Sequence, residues 1–92
     1  MLTKTTINFA ARRNLSIEEF VDTFADNRRV IEIADLDDGE AADEYHLAYA
    51  YNQDGTLRYL GSCFPRDNDA PAHIENDAAL RRLVDDLAWS LK

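Results

Sequence analysis

The sequence is poor in cysteine and histidine, which limits the chemistry that it can support. It contains one cysteine, Cys63, so no disulfide bond can form within the chain, as is typical of reducing compartments. The two histidines, His46 and His73, have no paired partners at ligand spacing, so the four ligands of a structural zinc site are missing. We therefore expect no metal and no other cofactor.

Glycine is equally scarce, and its positions exclude two common catalytic motifs. The three glycines, Gly39, Gly55 and Gly61, form neither a glycine-rich phosphate loop nor a G-x-S-x-G nucleophile elbow. The hairpin predicted below places Cys63 towards the core and His46 on the opposite face, so these two residues cannot act as nucleophile and base. The sequence predicts no enzymatic activity.

Long hydrophobic runs are also absent. Residues 1–13 lack the continuous apolar core of about 7–15 residues that a signal peptide needs. No stretch approaches the roughly 20 apolar residues of a membrane-spanning helix. Hydrophobic residues nevertheless make up 46% of the 92 residues, enough for a core of its own. We expect residues 1–92 to form a single acidic domain in the cytoplasm.

Basic residues are outnumbered, and this is the strongest global feature of the sequence. Ten lysines and arginines stand against 18 aspartates and glutamates, a net charge of −8. Because Lys4, Arg12 and Arg13 are the only charged residues up to position 15, the remaining chain carries −11. Phosphate backbones and anionic lipids repel such a surface, so we expect no direct nucleic-acid partner and no membrane partner. A basic protein surface would be attracted to it.

Periodicity and turn residues predict the element order β-α-β-β-β-α. Residues 5–11 alternate between apolar and polar side chains, as in a strand. Ser16 and Glu19 have the spacing of a capping box at the start of a helix predicted for residues 16–27. A second strand is predicted at residues 30–33.

The second half of the chain contains a predicted hairpin. Residues 45–51 and 57–63 alternate and are joined by a turn that places Gly55 in the left-handed conformation. This register places Tyr49 opposite Tyr59, an aromatic pair of the kind that stabilises neighbouring strands. The other pairs that it predicts are Tyr51 with Leu57, Leu47 with Gly61 and Tyr45 with Cys63.

The chain is expected to end in a loop and a helix. Residues 64–76 contain both prolines and read as a loop, and residues 77–91 carry an apolar stripe at helical spacing. Asp77 lies four residues before Arg81, which favours an ion pair along the helix. The economical arrangement is a two-layer α+β fold, with a mostly antiparallel sheet and two helices on one of its faces.

Two acidic segments are candidate partner-binding surfaces. On the helix predicted for residues 16–27, four carboxylates share one face without a base, although like charges four residues apart weaken a helix. A loop is predicted for residues 35–44, and its acidic residues do not have the spacing of an EF-hand. A solvated acidic surface without a function is the alternative for both. The acidic residues are Glu18, Glu19, Asp22 and Asp26 on the helix, and Asp35, Asp37, Asp38, Glu40, Asp43 and Glu44 in the loop.

Trp89 is the third candidate. On the last predicted helix it falls opposite the apolar stripe, among charged residues. Tryptophan is enriched at the energetic centres of protein interfaces, which favours a contact with a partner. Packing against the N-terminal segment or a neighbouring loop is the alternative.

These features favour a non-enzymatic, acidic protein-binding module that docks on a basic partner. Inhibitors that mimic nucleic acid, such as anti-CRISPR and antirestriction proteins, and toxin-immunity proteins are classes consistent with the charge. A structural or oligomeric accessory domain, in which a homodimer forms and acidity serves solubility, is the alternative. A third hypothesis is a small enzyme or ligand-binding protein that uses the sheet face around His46 and Arg58.

Overall fold

The computed structural model describes residues 2–24, 26–64 and 70–91. Within them the chain forms a helix, five strands and a second helix, so the predicted α+β class is confirmed. The elements are α1 (Lys4–Ala11), β1 (Leu15–Asp22), β2 (Arg28–Asp37), β3 (Glu40–Tyr51), β4 (Leu57–Gly61), β5 (His73–Ile74) and α2 (Asp77–Ser90).

The five strands form one antiparallel sheet whose order in space is their order along the chain. Alternate residues of neighbouring strands meet on one face, where Ile17 lies opposite Ile33 and Ile33 opposite Leu47. Ala10 of α1 and Leu80 of α2 belong to the same buried cluster as these residues. Both helices therefore cover this core face, and the opposite sheet face, here called the outer face, carries no helix of the described chain.

Residues 4–11 form a helix, whereas a strand was predicted for residues 5–11. The Thr3 side chain caps the helix by accepting a hydrogen bond from the amide of Thr6 at 3.2 Å. Thr6 and Ala10, one turn apart, are buried, and Asn14 follows the helix in the left-handed conformation. The seven residues 5–11 fit the periodicity of a strand as well as that of a helix. Thr6 and Ala10, which are buried and four residues apart, indicate the helix correctly.

Residues 15–22 form strand β1, so the helix predicted for residues 16–27 is wrong. All eight residues of β1 pair with β2, which gives the backbone its hydrogen bonds and buries Leu15 and Ile17. The predicted apolar stripe of the helix would have placed Phe24 in the core, but Phe24 is fully exposed. A capping box contributes only about 1 kcal/mol, which pairing along a whole strand outweighs.

The predicted hairpin forms, with its register confirmed next to the turn. Tyr51 lies opposite Leu57 and Tyr49 opposite Tyr59, and Gly55 has φ of 86°. A bulge then leaves Gly61 opposite Ala48, so the predicted partner Leu47 is one residue off. Cys63 lies beyond β4 and is exposed, which corrects the expectation that it faces the core.

The last helix forms at residues 77–90, close to the predicted range, and the Asp77–Arg81 ion pair is present. Asn76 caps it by accepting from the amide of Ala79 at 2.8 Å. The predicted loop before it contains the short strand β5, which pairs with β4. Residues 65–69 of that loop lie outside the described residues.

Candidate functional site

The acidic segment 35–44 is a hairpin, whereas a loop was predicted. Asp35 and Asp37 belong to β2, Glu40 and Asp43 belong to β3, and Asp38 lies in the turn that joins the two strands. We call residues 35–44 the acidic hairpin.

A two-residue turn explains why this segment forms strands. Asp38 and Gly39 have φ of 50° and 81°, the paired left-handed conformations of a type I′ turn. Aspartate tolerates this conformation and glycine adopts it without a steric penalty. The Asp-Gly pair is therefore the sequence signal that indicates a hairpin here, and the prediction of a loop overlooked it.

The acidic hairpin extends past the strands on either side of it. The pairing of β1 with β2 ends at Asp35, and the pairing of β4 with β3 ends at Ala48. Further out, Leu36 lies opposite Ala41 and Asp37 opposite Glu40. Leu36 still bonds to Asn14, which precedes β1, so the part that protrudes and is exposed to solvent is Asp37–Glu40.

The acidic hairpin carries charge of one sign only. Asp37 and Glu40 are direct cross-strand neighbours, and like charges in this position destabilise a hairpin. Between Arg29 and Arg58 the sequence contains no lysine or arginine. Within the described part of the chain, no ion pair involves Asp37, Asp38, Glu40, Asp43 or Glu44, and no group of three or more histidine, cysteine or acidic side chains is placed to hold a metal ion.

Asp35 differs from the other acids of the hairpin because it is bound to a buried histidine. The Nε2 atom of His46 donates to Oδ1 of Asp35 at 2.8 Å. His46 is 1% exposed and its ring centroid lies 4.9 Å from that of Phe64. His46 sits at a bulge in β3, where the register to β2 shifts. The pair fixes the base of the acidic hairpin, and burial of His46 argues against an open site around this histidine.

Trp89 lies beside Asp35, at the end of the acidic hairpin that joins the rest of the sheet. Its side chain is 70% exposed, as the helical periodicity predicts, and it lines a groove of about 610 Å³ together with Asp35, Arg12 and Leu15. The fold therefore brings Trp89 and Asp35, which are 54 residues apart in the sequence, to one surface.

The wall of the groove is fixed by Arg13. Its Nε atom donates to Oδ1 of Asp85 at 3.0 Å, and its guanidinium lies 3.5 Å from the centroid of the Phe9 ring. Through Arg13, this ion pair and this stacking join Phe9 of α1 to Asp85 of α2 at one side of the groove.

The four carboxylates predicted to share a helix face are separated by the strand that replaces the helix. Glu18 and Asp22 point to the outer face of the sheet, while Glu19 points to the core face. Asp26 lies in the β1–β2 turn with φ of 55°. No continuous acidic face is formed by these residues.

Two of the four are also engaged within the protein. Glu19 pairs with Arg29 at 3.0 Å, and Asp22 pairs with Arg28 at 3.4 Å. A hydrogen bond from Tyr51 and the charge of Arg29 lower the pKa of Glu19 despite its partial burial. The acidic hairpin is thus the surface with the larger number of uncompensated charges.

Glu18 faces another acid across the sheet. It lies directly opposite Glu32 on the outer face. Burial, together with the negative charge of Glu18, raises the pKa of Glu32 above its ordinary value of 4.5. Ionised Glu32 therefore disfavours the folded state.

We expect Glu32→Gln to stabilise the protein at neutral pH by about 0.5 kcal/mol, because it removes this penalty. The raised pKa means that the unfolded chain ionises first, so stability falls as pH rises through 4.5 towards the raised value. Urea unfolding should show the gain at about pH 7 and little gain at about pH 3. An equal gain at both pH values would contradict the electrostatic cause.

Comparisons of the chain with protein-family models, with curated proteins and with solved structures found no match. Among the described residues, no helix has the length and apolar character to cross a membrane.

Proposed function

We propose that this protein is a non-enzymatic binding module that docks the acidic hairpin on a basic surface of another protein. The observation that carries the proposal is the exposed tip in which Asp37 faces Glu40, in a stretch with no lysine or arginine from residue 30 to residue 57. An arrangement that weakens its own hairpin is explained by a cationic partner that relieves the repulsion.

The neighbouring groove supplies the second part of the surface. Long-range attraction to the acidic hairpin would accelerate association, whereas burial of Trp89 against the partner would slow dissociation. Because Asp35 belongs to the hairpin and also lines the groove, one partner can contact both regions.

The chemistry of the partner follows from the charge. Proteins that bind phosphate groups of nucleic acids present clustered lysine and arginine, so carboxylates on a protruding tip can occupy the same positions. A nucleic-acid-binding protein and a basic nuclease toxin both meet this requirement. The proposed roles are therefore a nucleic-acid-mimicking inhibitor or an immunity protein.

We expect that neutralising Asp37→Asn, Asp38→Asn and Glu40→Gln together weakens partner binding at least about tenfold. Asparagine keeps the turn because Asn-Gly also forms type I′ turns. The wild type and this variant would serve as parallel baits in a nuclease-treated lysate of the source cell, with elution in a salt gradient and identification by mass spectrometry. A basic protein retained by the wild type, lost by the variant and released at moderate salt is the expected result.

A second variant controls for total charge. Asp26→Asn, Glu75→Gln and Asp86→Asn remove the same number of charges from exposed positions outside the acidic hairpin. The control should retain the partner. If both variants keep the partner, the acidic hairpin is not the docking surface. If both lose it equally, general acidity and not the acidic hairpin accounts for the capture.

A further inference from the structure

The free edge of β1 is a second surface with a chemistry of its own. Among the described residues, β1 is the first strand of the sheet and pairs with β2 alone. Its exposed half, Glu18–Val21, lies towards the end away from the acidic hairpin, since the seven residue steps from Leu15 to Asp22 span about 23 Å. Such an edge is a template for another strand unless it is protected.

The backbone groups that point outward can be assigned from the register. The amide of Leu36 donates to the carbonyl of Asn14 at 2.9 Å, and β1 then pairs with β2 without a bulge. Hydrogen-bonded and non-hydrogen-bonded pairs alternate in antiparallel strands. The even-numbered residues of β1 therefore bond to β2, while Glu19 and Val21 direct their amides and carbonyls away from the sheet.

Large apolar side chains surround these outward groups. Phe20 is 40% exposed, Val21 is 52% exposed, and Phe24 in the following turn is fully exposed. Phe20 and Val21 lie on opposite faces of the strand, so the edge is apolar on both sides. Natural edge strands are usually covered or made polar, and a cluster of this kind marks an interaction surface.

The acidic residues beside the free edge of β1 favour an added strand with basic residues. Glu18 and Glu32 repel each other on the outer face next to the free edge. A lysine or arginine placed opposite Glu18 on an added strand would be attracted by both carboxylates. Arg29 and Arg28 form ion pairs with Glu19 and Asp22. Within the described residues, no ion pair compensates Glu18 or Glu32.

A second copy of the chain fits the edge less well. A two-fold axis that joins two β1 edges keeps the sheet faces aligned, so a register centred on Glu19 places this residue opposite itself. If Phe20 lies on the two-fold axis, Glu18 of each copy lies opposite Asp22 of the other. If Val21 lies on the axis, only three residues of each β1 strand can pair. The first two registers put like charges opposite each other, and the last is too short.

We propose that an extended segment of a partner protein, with basic and apolar residues in alternation, adds to the free edge of β1 as a sixth strand. Its basic residues lie opposite Glu18 and Phe20 on the outer face, and its apolar residues lie beside Val21 on the other face. Backbone hydrogen bonds provide affinity and the alternating side chains provide specificity. The proposal goes beyond docking of the acidic hairpin and does not depend on it.

The test uses a synthetic peptide of alternating valine and lysine and the intact protein. We expect saturable binding and slower amide hydrogen exchange at Glu19 and Val21 when the peptide is present. A peptide in which glutamate replaces lysine, and one in which the same residues form a valine block and a lysine block, should each bind at least about tenfold more weakly. The hairpin variant described above should keep the affinity of the wild type.

Val21→Pro provides the decisive variant. Proline removes an outward amide without removing a bond to β2, a position that edge strands tolerate. Affinity for the peptide should fall at least about tenfold, with the circular dichroism spectrum unchanged. If this variant does not fold, a peptide N-methylated at alternate residues replaces it and should bind the wild type with the same loss.

The proposal would be overturned by a lack of saturable binding of the alternating peptide, or by unchanged affinity of a folded Val21→Pro variant or of the N-methylated peptide. Binding lost in the hairpin variant would also overturn it, because that result would place the peptide on the acidic hairpin. A concentration-dependent dimer in which Glu19 and Val21 are protected without peptide would assign the edge to a second copy of the chain.

Discussion

Tyr49→Ala is expected to lower the free energy of unfolding by about 3–5 kcal/mol, the largest effect of any single substitution considered. Tyr49 is 0% exposed and is among the largest buried side chains. Its ring centroid lies 5.4 Å from that of Tyr59, and its hydroxyl donates to the carbonyl of Pro71 at 2.8 Å. Removing the ring leaves a cavity in the buried core cluster, in a domain whose total stability is of order 5–15 kcal/mol.

Tyr49→Phe separates the ring from the hydroxyl. It keeps the packing and loses one hydrogen bond to a carbonyl near the surface, so we expect a cost of only about 1 kcal/mol. Urea unfolding followed by circular dichroism measures both variants. Equal costs for the two substitutions would mean that the hydroxyl, and not the buried ring, stabilises the centre of the sheet.

Asp77→Ala is expected to cost about 2 kcal/mol, because one carboxylate joins the two helices. The hydroxyl of Thr6 donates to Oδ1 of Asp77 at 2.7 Å, and that of Thr3 donates to Oδ2 at 3.0 Å. Arg81 also pairs with this carboxylate. Thr6 is completely buried, so its hydroxyl loses the carboxylate that accepts its hydrogen bond.

The effect of Asp77 should depend on pH. Burial tends to raise the pKa of Asp77, but hydrogen bonds from Thr6 and Thr3 and the charge of Arg81 outweigh it and lower the pKa. The contribution is thus present above the ordinary carboxyl pKa and is lost as pH falls through the lowered value. Unfolding at about pH 7 should separate Asp77→Ala from the wild type more than unfolding at about pH 2 does. A difference that does not change with pH would contradict the role of the carboxylate charge.

The part of the fold that could be predicted is the part in which local signals and long-range pairing agree. The Tyr49–Tyr59 pair, the left-handed Gly55 and the last helix follow from alternation, turn chemistry and helical periodicity. In the first 27 residues the local signals favour the wrong element. The Ser16–Glu19 capping box is a real helix signal, but eight residues of pairing with β2 decide the conformation.

Left-handed positions explain further errors. Asn14, Asp26, Asn27 and Asp38 all have positive φ, so the chain uses asparagine and aspartate where glycine is more common. These residues mark the end of α1 and the two hairpin turns that the prediction missed. The bulge in β4 is marked by Gly61, a glycine within a strand with φ of 155°, whereas the bulge at His46 in β3 has no comparable mark in the sequence.

The sequence singles out the acidic residues 35–44 and Trp89, but not how they are arranged in space. The exposure of Trp89 follows from its position on the last helix, and its role in binding stays a proposal. Trp89 and Asp35 lie on one surface because of how the two helices are placed on the sheet, and the periodicity of the sequence does not specify this placement. The acidic residues of β1 were grouped by a helix that does not form.

The sequential order of the strands has a consequence for how fast the protein folds. Each pairing joins strands that follow each other in the chain, so the sheet can assemble through contacts of short sequence separation, which favours rapid folding. The contact between Thr6 and Asp77 instead closes a loop of 71 residues. The sheet can therefore form before the two helices are joined, and loss of this contact in Asp77→Ala should appear mainly as faster unfolding.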